Sequence, residues 1–231
     1  MLRLEAAGKS YCRHGKTVEA LRPTSLEIGA GESVAVVGPS GCGKSTFLTV
    51  VGGMLAPTTG RVLLEGQSLY DLSVSQRAGV RGKRIGFVFQ TFNLVPYLSA
   101  LENVQVPLYL AGVGTKEQRG RATAALERVG LAERLEHKPS ELSVGQQQRV
   151  ALARTLVNDP ALILADEPTG NLDPDTREQV LGLFEEFHGE DRTLVVVTHD
   201  PAVAARSRRV LRLQAGAVSG VEDIAPQLAV A

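Results

Sequence analysis

A chain of 231 residues, 43% hydrophobic and 22% charged, has globular composition and is long enough to bury one substantial core. Lys plus Arg and Asp plus Glu each number 25, so no global basic field points to a nucleic-acid partner, and any anion must be held locally. Two cysteines are too few for a disulfide framework, no apolar run approaches the ~20 residues of a membrane span, and MLRLEAAGKSY lacks the apolar stretch of a secretory signal; a cytoplasmic protein is expected.

Taken in chain order, LRLE, TVEALRPTSLEI and RVLLEG alternate polar with apolar residues, which predicts a small antiparallel layer near the N-terminus. ESVAVVG (32–38), IGFVF (85–89), ALILAD (161–166) and TLVVVT (193–198) are short continuous apolar runs bounded by Gly, Pro or Asp. Such runs suit strands of a parallel sheet buried on both faces. Helical patterns fall between them, most clearly over 115–129, where Ala122, Ala125, Leu126 and Val129 mark one face. RVLRLQAGAV predicts a hairpin turning near Gly216, followed by a loose tail. The sum is an α/β domain with a helical insertion between about 91 and 158.

GPSGCGKST follows the strand SVAVV and runs into FLTVVGGML, whose Phe47, Leu48, Val51 and Leu55 suit a helix packed on a sheet. This order lets successive backbone N–H groups and a helix N-terminus converge on phosphates. The expected nucleotide contacts are Gly38, Pro39, Ser40, Gly41, Cys42, Gly43, Lys44, Ser45 and Thr46. Gly38, Gly41 and Gly43 permit close backbone approach, Lys44 supplies a point charge for the outer phosphates, and Ser45 offers a hydroxyl to Mg²⁺. Cys42 occupies a variable position of the loop and is read as an incidental small residue.

ALILADEPTGNLD places Asp166 at the C-terminal end of a buried strand, where parallel sheets bind ligands. In P-loop enzymes such an Asp serves Mg²⁺. Glu167, its neighbour, is placed to polarise the water that attacks a γ-phosphate, a contribution of ~10²–10⁴ in rate. TLVVVT is followed by His199, a common turn residue that, at a neighbouring strand's C-terminal edge, could also reach the γ-phosphate. At 142–149 the chain reads LSVGQQQR. Ser143 with Gln146 has capping-box spacing, so a helix begins there with its positive end outward, a second anion site in one chain.

With P-loop, LSVGQ, ADEPTGNLD and VVVTHD in that order, residues 2–218 resemble the nucleotide-binding subunit of an ATP-binding cassette (ABC) transporter. The resemblance implies a P-loop NTPase (RecA-like) core with an N-terminal antiparallel β subdomain and an inserted helical one. The expected division is core plus β subdomain at 1–90 and 159–218, signature helices at 91–158, and a tail at 219–231. It implies that Tyr11 stacks on adenine, that Gln90 links Mg²⁺ to the membrane partner, and that Asp173 lies across a dimer interface. It further implies that Ser143, Gly145 and Gln146 hold the γ-phosphate of ATP on an opposite subunit, so that two copies of the chain face head to tail around two Mg-ATP. ATP hydrolysis is the implied activity.

FVFQTFNLVPYLSALENVQVPL and PSELSVGQQQRVALAR are most similar to the lipoprotein-release and macrolide-export group (LolD and MacB-like), whose partner is a permease with a large periplasmic domain. That partner would hold the chain at the inner face of the plasma membrane. A regulatory cassette resembling FtsE, and a soluble DNA-repair or ribosome-associated cassette, are the alternatives. The last is disfavoured by the ~100 residues between Lys44 and Ser143, which leave no room for a long coiled coil. The sequence departs from the family's LSGGQ at Val144, whose β-branched side chain disfavours any φ > 0 geometry, and reduced turnover is expected.

Overall fold

A computed structural model describes residues 1–13 and 15–224. The elements run β1 (Leu2–Arg13), β2 (Lys16–Ile28), β3 (Ser33–Val37), α1 (Lys44–Val51), β4 (Thr59–Leu64), β5 (Gln67–Ser68), α2 (Val74–Arg84) and β6 (Ile85–Phe89). They continue with α3 (Ala100–Leu110), α4 (Thr115–Arg128), α5 (Val144–Leu156), β7 (Leu162–Asp166), α6 (Pro174–His188) and β8 (Thr193–Thr198). The chain closes with α7 (Pro201–Ala204), β9 (Arg209–Gln214) and β10 (Ala217–Asp223). It divides into two compact units, Met1–Arg77 with Thr193–Ala231, and Ala78–Arg192.

The first unit holds two sheets. In one, β1 pairs antiparallel with β2 (Leu2 opposite Ile28) and with β4 (Leu2 opposite Leu64), and β5 extends β4. Leu2, Leu4, Leu21, Ile28, Val62 and Leu64 are buried from this layer, as its alternating sequence predicts. In the other, β3 lies between β8 and β9, parallel to both, and β10 returns antiparallel beside β9. Every residue of β8 is buried, which is why TLVVVT is continuous rather than alternating. Phe47, Leu48, Val50 and Val51 bury one face of α1. Leu55, expected on that helix, lies beyond it: the chain leaves the helix at Gly52, and Gly53 follows in the left-handed region. The hairpin turns at Ala215 and Gly216, as expected, and β10 reaches Asp223, five residues into the segment read as tail. Residues 225–231 lie outside the described residues.

In the second unit β6 and β7 pair in parallel, Ile85 opposite Leu162 through Phe89 opposite Asp166. Between them come α3, α4 and α5, which bury Leu101, Val104 and Leu108, then Ala122 and Leu126, then Val150, Ala151, Leu152 and Ala153. Ser99 and Glu102 cap α3 reciprocally. Asn103, fully buried, accepts from the Val95 N–H and donates to the carbonyls of Val95, Leu98 and Ser99, which fixes the segment before α3. Helix α2 is not marked by an apolar stripe, because it buries no residue. Its start is nonetheless written in Ser73 and Gln76, which cap each other.

Candidate active site

The expected site residues divide between the two units. In the first, β3 delivers the chain into the glycine loop and α1 takes it up at Lys44. Gly41 (φ 76°) and Gly43 (φ 109°) are both left-handed, which curls the backbone around Cys42. The glycines answer different needs. A Cβ on Gly38 would sit 2.1 Å from the Leu213 carbonyl oxygen, and one on Gly43 2.0 Å from that of Ala20. The loop's own neighbours therefore demand those two, whereas Gly41 meets open space and is required only for its conformation.

No side chain caps α1, and its first turn holds no acid. N–H groups at a helix start without a side-chain acceptor, in a positive end field, are suited to a phosphate. Lys44, only 9% exposed, donates from Nζ to the carbonyls of Gly38 (2.8 Å) and Pro39 (3.1 Å), so its charge stays over the loop. Pro39, Ser40, Gly41 and Ser45 are exposed, Thr46 is half-buried, and Cys42 is buried beneath the loop. The Gly216 N–H donates to the Cys42 carbonyl (2.9 Å) while the Gly216 carbonyl accepts from the Arg22 N–H (2.7 Å). The hairpin turn thus straps the loop to β2.

The parallel register sets Val37 opposite Thr198, so Gly38 and His199 both begin just past the same sheet edge. With Pro39, Arg212 and Glu222 they line a cavity of about 600 Å³. Its lining does not include Lys44, Ser45 or Tyr11. His199 is exposed, and Asp200 after it caps α7 by accepting from the Ala202 N–H. Tyr11 is 43% exposed on β1, opposite Val18 and with the Lys9 amine 5.6 Å from its ring centroid, a flat apolar surface capable of stacking.

The second unit repeats the edge arrangement. Phe89 lies opposite Asp166, so Gln90 and Glu167 both start just beyond one edge. The Gln90 carbonyl accepts from Asn171 Nδ2 (3.2 Å), and Gln90 Nε2 lies 3.2 Å from where a Cβ on Gly170 would be. Asp166 and Glu167 are half-buried. Glu167 is left-handed (φ 45°) and precedes Pro168, a residue that disfavours the ordinary helical region at the position before it. The Gly170 N–H donates to the Glu167 carbonyl (3.1 Å) and closes the turn.

The signature helix resolves the three glutamines into three tasks. Gln146 and Ser143 cap each other, Ser143 N–H to Oε1 at 2.9 Å and Gln146 N–H to Oγ at 3.3 Å, as the spacing predicts. Gln147 donates back to the Leu142 carbonyl (3.0 Å), and Gln148 donates to the Pro168 carbonyl (2.5 Å). Gly145 is buried: a Cβ there would sit 2.2 Å from Thr176 Cγ2 of α6. Val144 is 47% exposed and is not among the residues of positive φ, so the feared backbone conflict does not arise. A valine in the first turn of a right-handed helix needs no unusual geometry.

Asp173 accepts from the Thr176 N–H (3.0 Å) and caps α6. Hydrogen bonds from Thr176, side chain first and then backbone, hold its carboxyl below the ordinary range. In the single chain its first task is therefore a local one. Two residues outside the sequence expectation join the region. Asn171 holds the Gln90 carbonyl, and Arg154 of α5 donates to the carbonyls of Phe92 and Asn93 at 2.6 Å each. Phe92 and Asn93 are consecutive left-handed residues, and Arg154 pins both; burial pushes its guanidinium pKa down. No sequence pattern marks either residue, because both act across long chain separations.

Among the described residues no cluster of three His, Cys, Asp or Glu could by itself hold a metal. The donor set expected for Mg²⁺, Ser45, Gln90 and Asp166, is of the sparse kind that Mg²⁺ uses when water and phosphate supply its remaining ligands. Within the first unit, the uncapped α1 start and the Lys44 amine are groups of the kind that bind phosphate.

The pattern of the ABC transporter family matches residues 21–170. The chain belongs to that family. The cassette is 51% identical over 205 residues to an uncharacterized ABC transporter ATP-binding protein of Thermotoga maritima, covering 89% of this chain and 88% of the relative. It is 44% identical over 224 residues to the lipoprotein-releasing system ATP-binding protein LolD of a Shewanella species, covering 96% and 97%. The macrolide export ATP-binding/permease protein MacB of Syntrophobacter fumaroxidans is 46% identical over 234 residues, and there the cassette spans 33% of a longer protein. A dimeric ATP-binding cassette, MJ0796, in a post-hydrolysis state bound to ADP and Pi superposes with a TM-score of 0.91 at 41% identity, covering 97% and 99% of the two chains. The cassette is accordingly an ATPase that works on Mg-ATP, with the expected α/β fold, antiparallel β subdomain and helical insert. No helix among the described residues is long and apolar enough to cross a membrane.

Proposed function

We propose that the cassette is the ATP-hydrolysing subunit of a LolD/MacB-like system, closing head to tail with a second copy around two ATP. The observation that carries this reading is a pair of helix starts in one chain, α1 with the P-loop and α5 with the signature, each able to hold an anion. The dimeric state of the solved relative supports it.

In this reading the P-loop N–H groups and Lys44 orient the phosphates, and Tyr11 stacks on the base. Ser45, Asp166 and Gln90 serve Mg²⁺, which when bound draws charge from the phosphate oxygens. Glu167 accepts the proton of the attacking water, and His199 stabilises the γ-phosphate as its charge redistributes. Ser143, Gly145 and Gln146 close on the second copy's nucleotide, and Asp173 faces that copy. Dimer closure excludes bulk water, leaving the attacking one beside Glu167, and completes the charge environment before attack.

The membrane partner is a permease with a periplasmic domain, which places the cassette at the inner face of the plasma membrane. The names of the LolD and MacB relatives support the group, and the balanced charge argues against nucleic acid. Glu167→Gln keeps shape and removes the base, so ATP binding is retained, turnover falls ~10²–10⁴-fold, and ATP-bound dimers accumulate. Gel filtration with Mg-ATP reads the outcome. A variant that binds ATP yet stays monomeric argues against the head-to-tail reading.

A further inference from the structure

Gln148 lies two residues beyond the signature, in the first turns of α5, and is 0% exposed. Its Nε2 donates to the carbonyl of Pro168 at 2.5 Å, across twenty positions of sequence. Among the described residues its Oε1 has no partner. A buried amide with one orphaned atom is costly, and an apolar side chain of the same size would avoid that cost. The bond that Gln148 does make therefore points to what the side chain is for.

It ends on the residue after Glu167. Glu167 is held in the left-handed region, a conformation that persists for a residue with a side chain only when its surroundings over-determine it. Among the restraints around it are three on the backbone of its turn. Pro168 fixes the following ring, the Gly170 N–H closes the turn onto the Glu167 carbonyl, and Gln148 holds the Pro168 carbonyl from α5. Of these only the Gln148 bond comes from outside the turn. The start of the same helix carries Ser143, with Gly145 seated on Thr176.

We infer that Gln148 is a positioning residue that ties the backbone of the Glu167 turn to the signature helix, so that engagement of the α5 N-terminus sets the general base. The inference rests on the proposed role of Glu167 and deepens it. Gln148 acts through Pro168 and itself touches no substrate.

The test is Gln148→Met, which keeps volume and burial and removes the donor, compared with Val150→Ala, a fully buried apolar position of the same helix. The expected result is a roughly tenfold fall in kcat with KM for ATP and ATP-dependent dimer formation within twofold of wild type. Amide exchange at Gly170 and Leu172 should accelerate, while the α5 amides stay protected. Val150→Ala should lower Tm without that kcat effect. Unchanged kcat in an active Gln148→Met protein overturns the inference, as does a kcat loss matched by Val150→Ala at equal Tm. If Gln148→Met does not fold, Gln148→Leu, which also stays apolar and removes the donor, carries the same comparison. A wild-type chain that binds but never hydrolyses ATP overturns the role of Glu167 itself, a separate result from an active wild type with an equally active variant.

Discussion

The starts of α1 and α5 can each hold an anion, and they are finished in different ways. Helix α1 begins at a left-handed Gly43 with no side-chain acceptor, its N–H groups facing a loop whose curvature two glycines maintain. Helix α5 begins with a completed capping box, Ser143 and Gln146 satisfying each other's backbone. The first end needs an outside acceptor. The second has two of its N–H groups satisfied from within and offers its positive end field, an exposed serine and a shaped surface. One is a cradle, and the other, in the proposed dimer, is a lid whose stability does not depend on what it covers.

That contrast can be broken at three points. Lys44→Ala removes the charge held over the α1 cradle and should weaken ATP binding by ~10–100-fold, since a hydrogen bond to a charged group is worth about 1.5–3 kcal/mol. Equilibrium binding of a fluorescent ATP analogue measures it, and unchanged affinity would mean the cradle is not the anchor. Gly145→Ala forces a Cβ to within 2.2 Å of Thr176 Cγ2. Overpacking of this kind costs about 1–3 kcal/mol, or about 2–12 °C in Tm for a chain this size. ATP binding by the monomer should survive and ATP-dependent dimerisation should fail.

Val144→Gly is the mildest. It removes an exposed side chain and loosens the first turn by no more than about 1 kcal/mol, read as a small drop in Tm. Dimer-dependent turnover should rise a few-fold as the lid closes without the valine. Equal losses of turnover at positions 144 and 145 would erase the distinction between a packing glycine and an outward-facing neighbour.

Legibility followed burial. IGFVF and TLVVVT became β6 and β8 with the boundaries read from sequence, because strands covered on both faces leave an unbroken apolar run. The capping boxes of α3 and α5 are equally local, and the latter was legible from Ser143 and Gln146 alone. Helix α2 was not, since nothing on it is buried. The glycine loop was recognisable, yet the reason for Gly38 and Gly43 was only half legible. Their crowding comes from Leu213 and Ala20, distant in sequence. The same limit hid Gln148, Arg154 and Asn171, whose partners are carbonyls, groups that every residue carries and no motif marks. For Val144 the sequence raised a backbone objection that an ordinary helical φ removes, leaving only the question of what its side chain meets.

The strap made by Gly216 has a practical consequence for how this chain can be cut and joined. One backbone unit of the last hairpin clasps both the phosphate loop, through Cys42, and β2, through Arg22. Removing the hairpin from its turn onward would therefore unmoor a loop that lies more than 170 residues away in sequence. A label or fusion belongs after Asp223, where β10 ends, and a reporter inserted at Ala215–Gly216 would act as a remote handle on nucleotide binding.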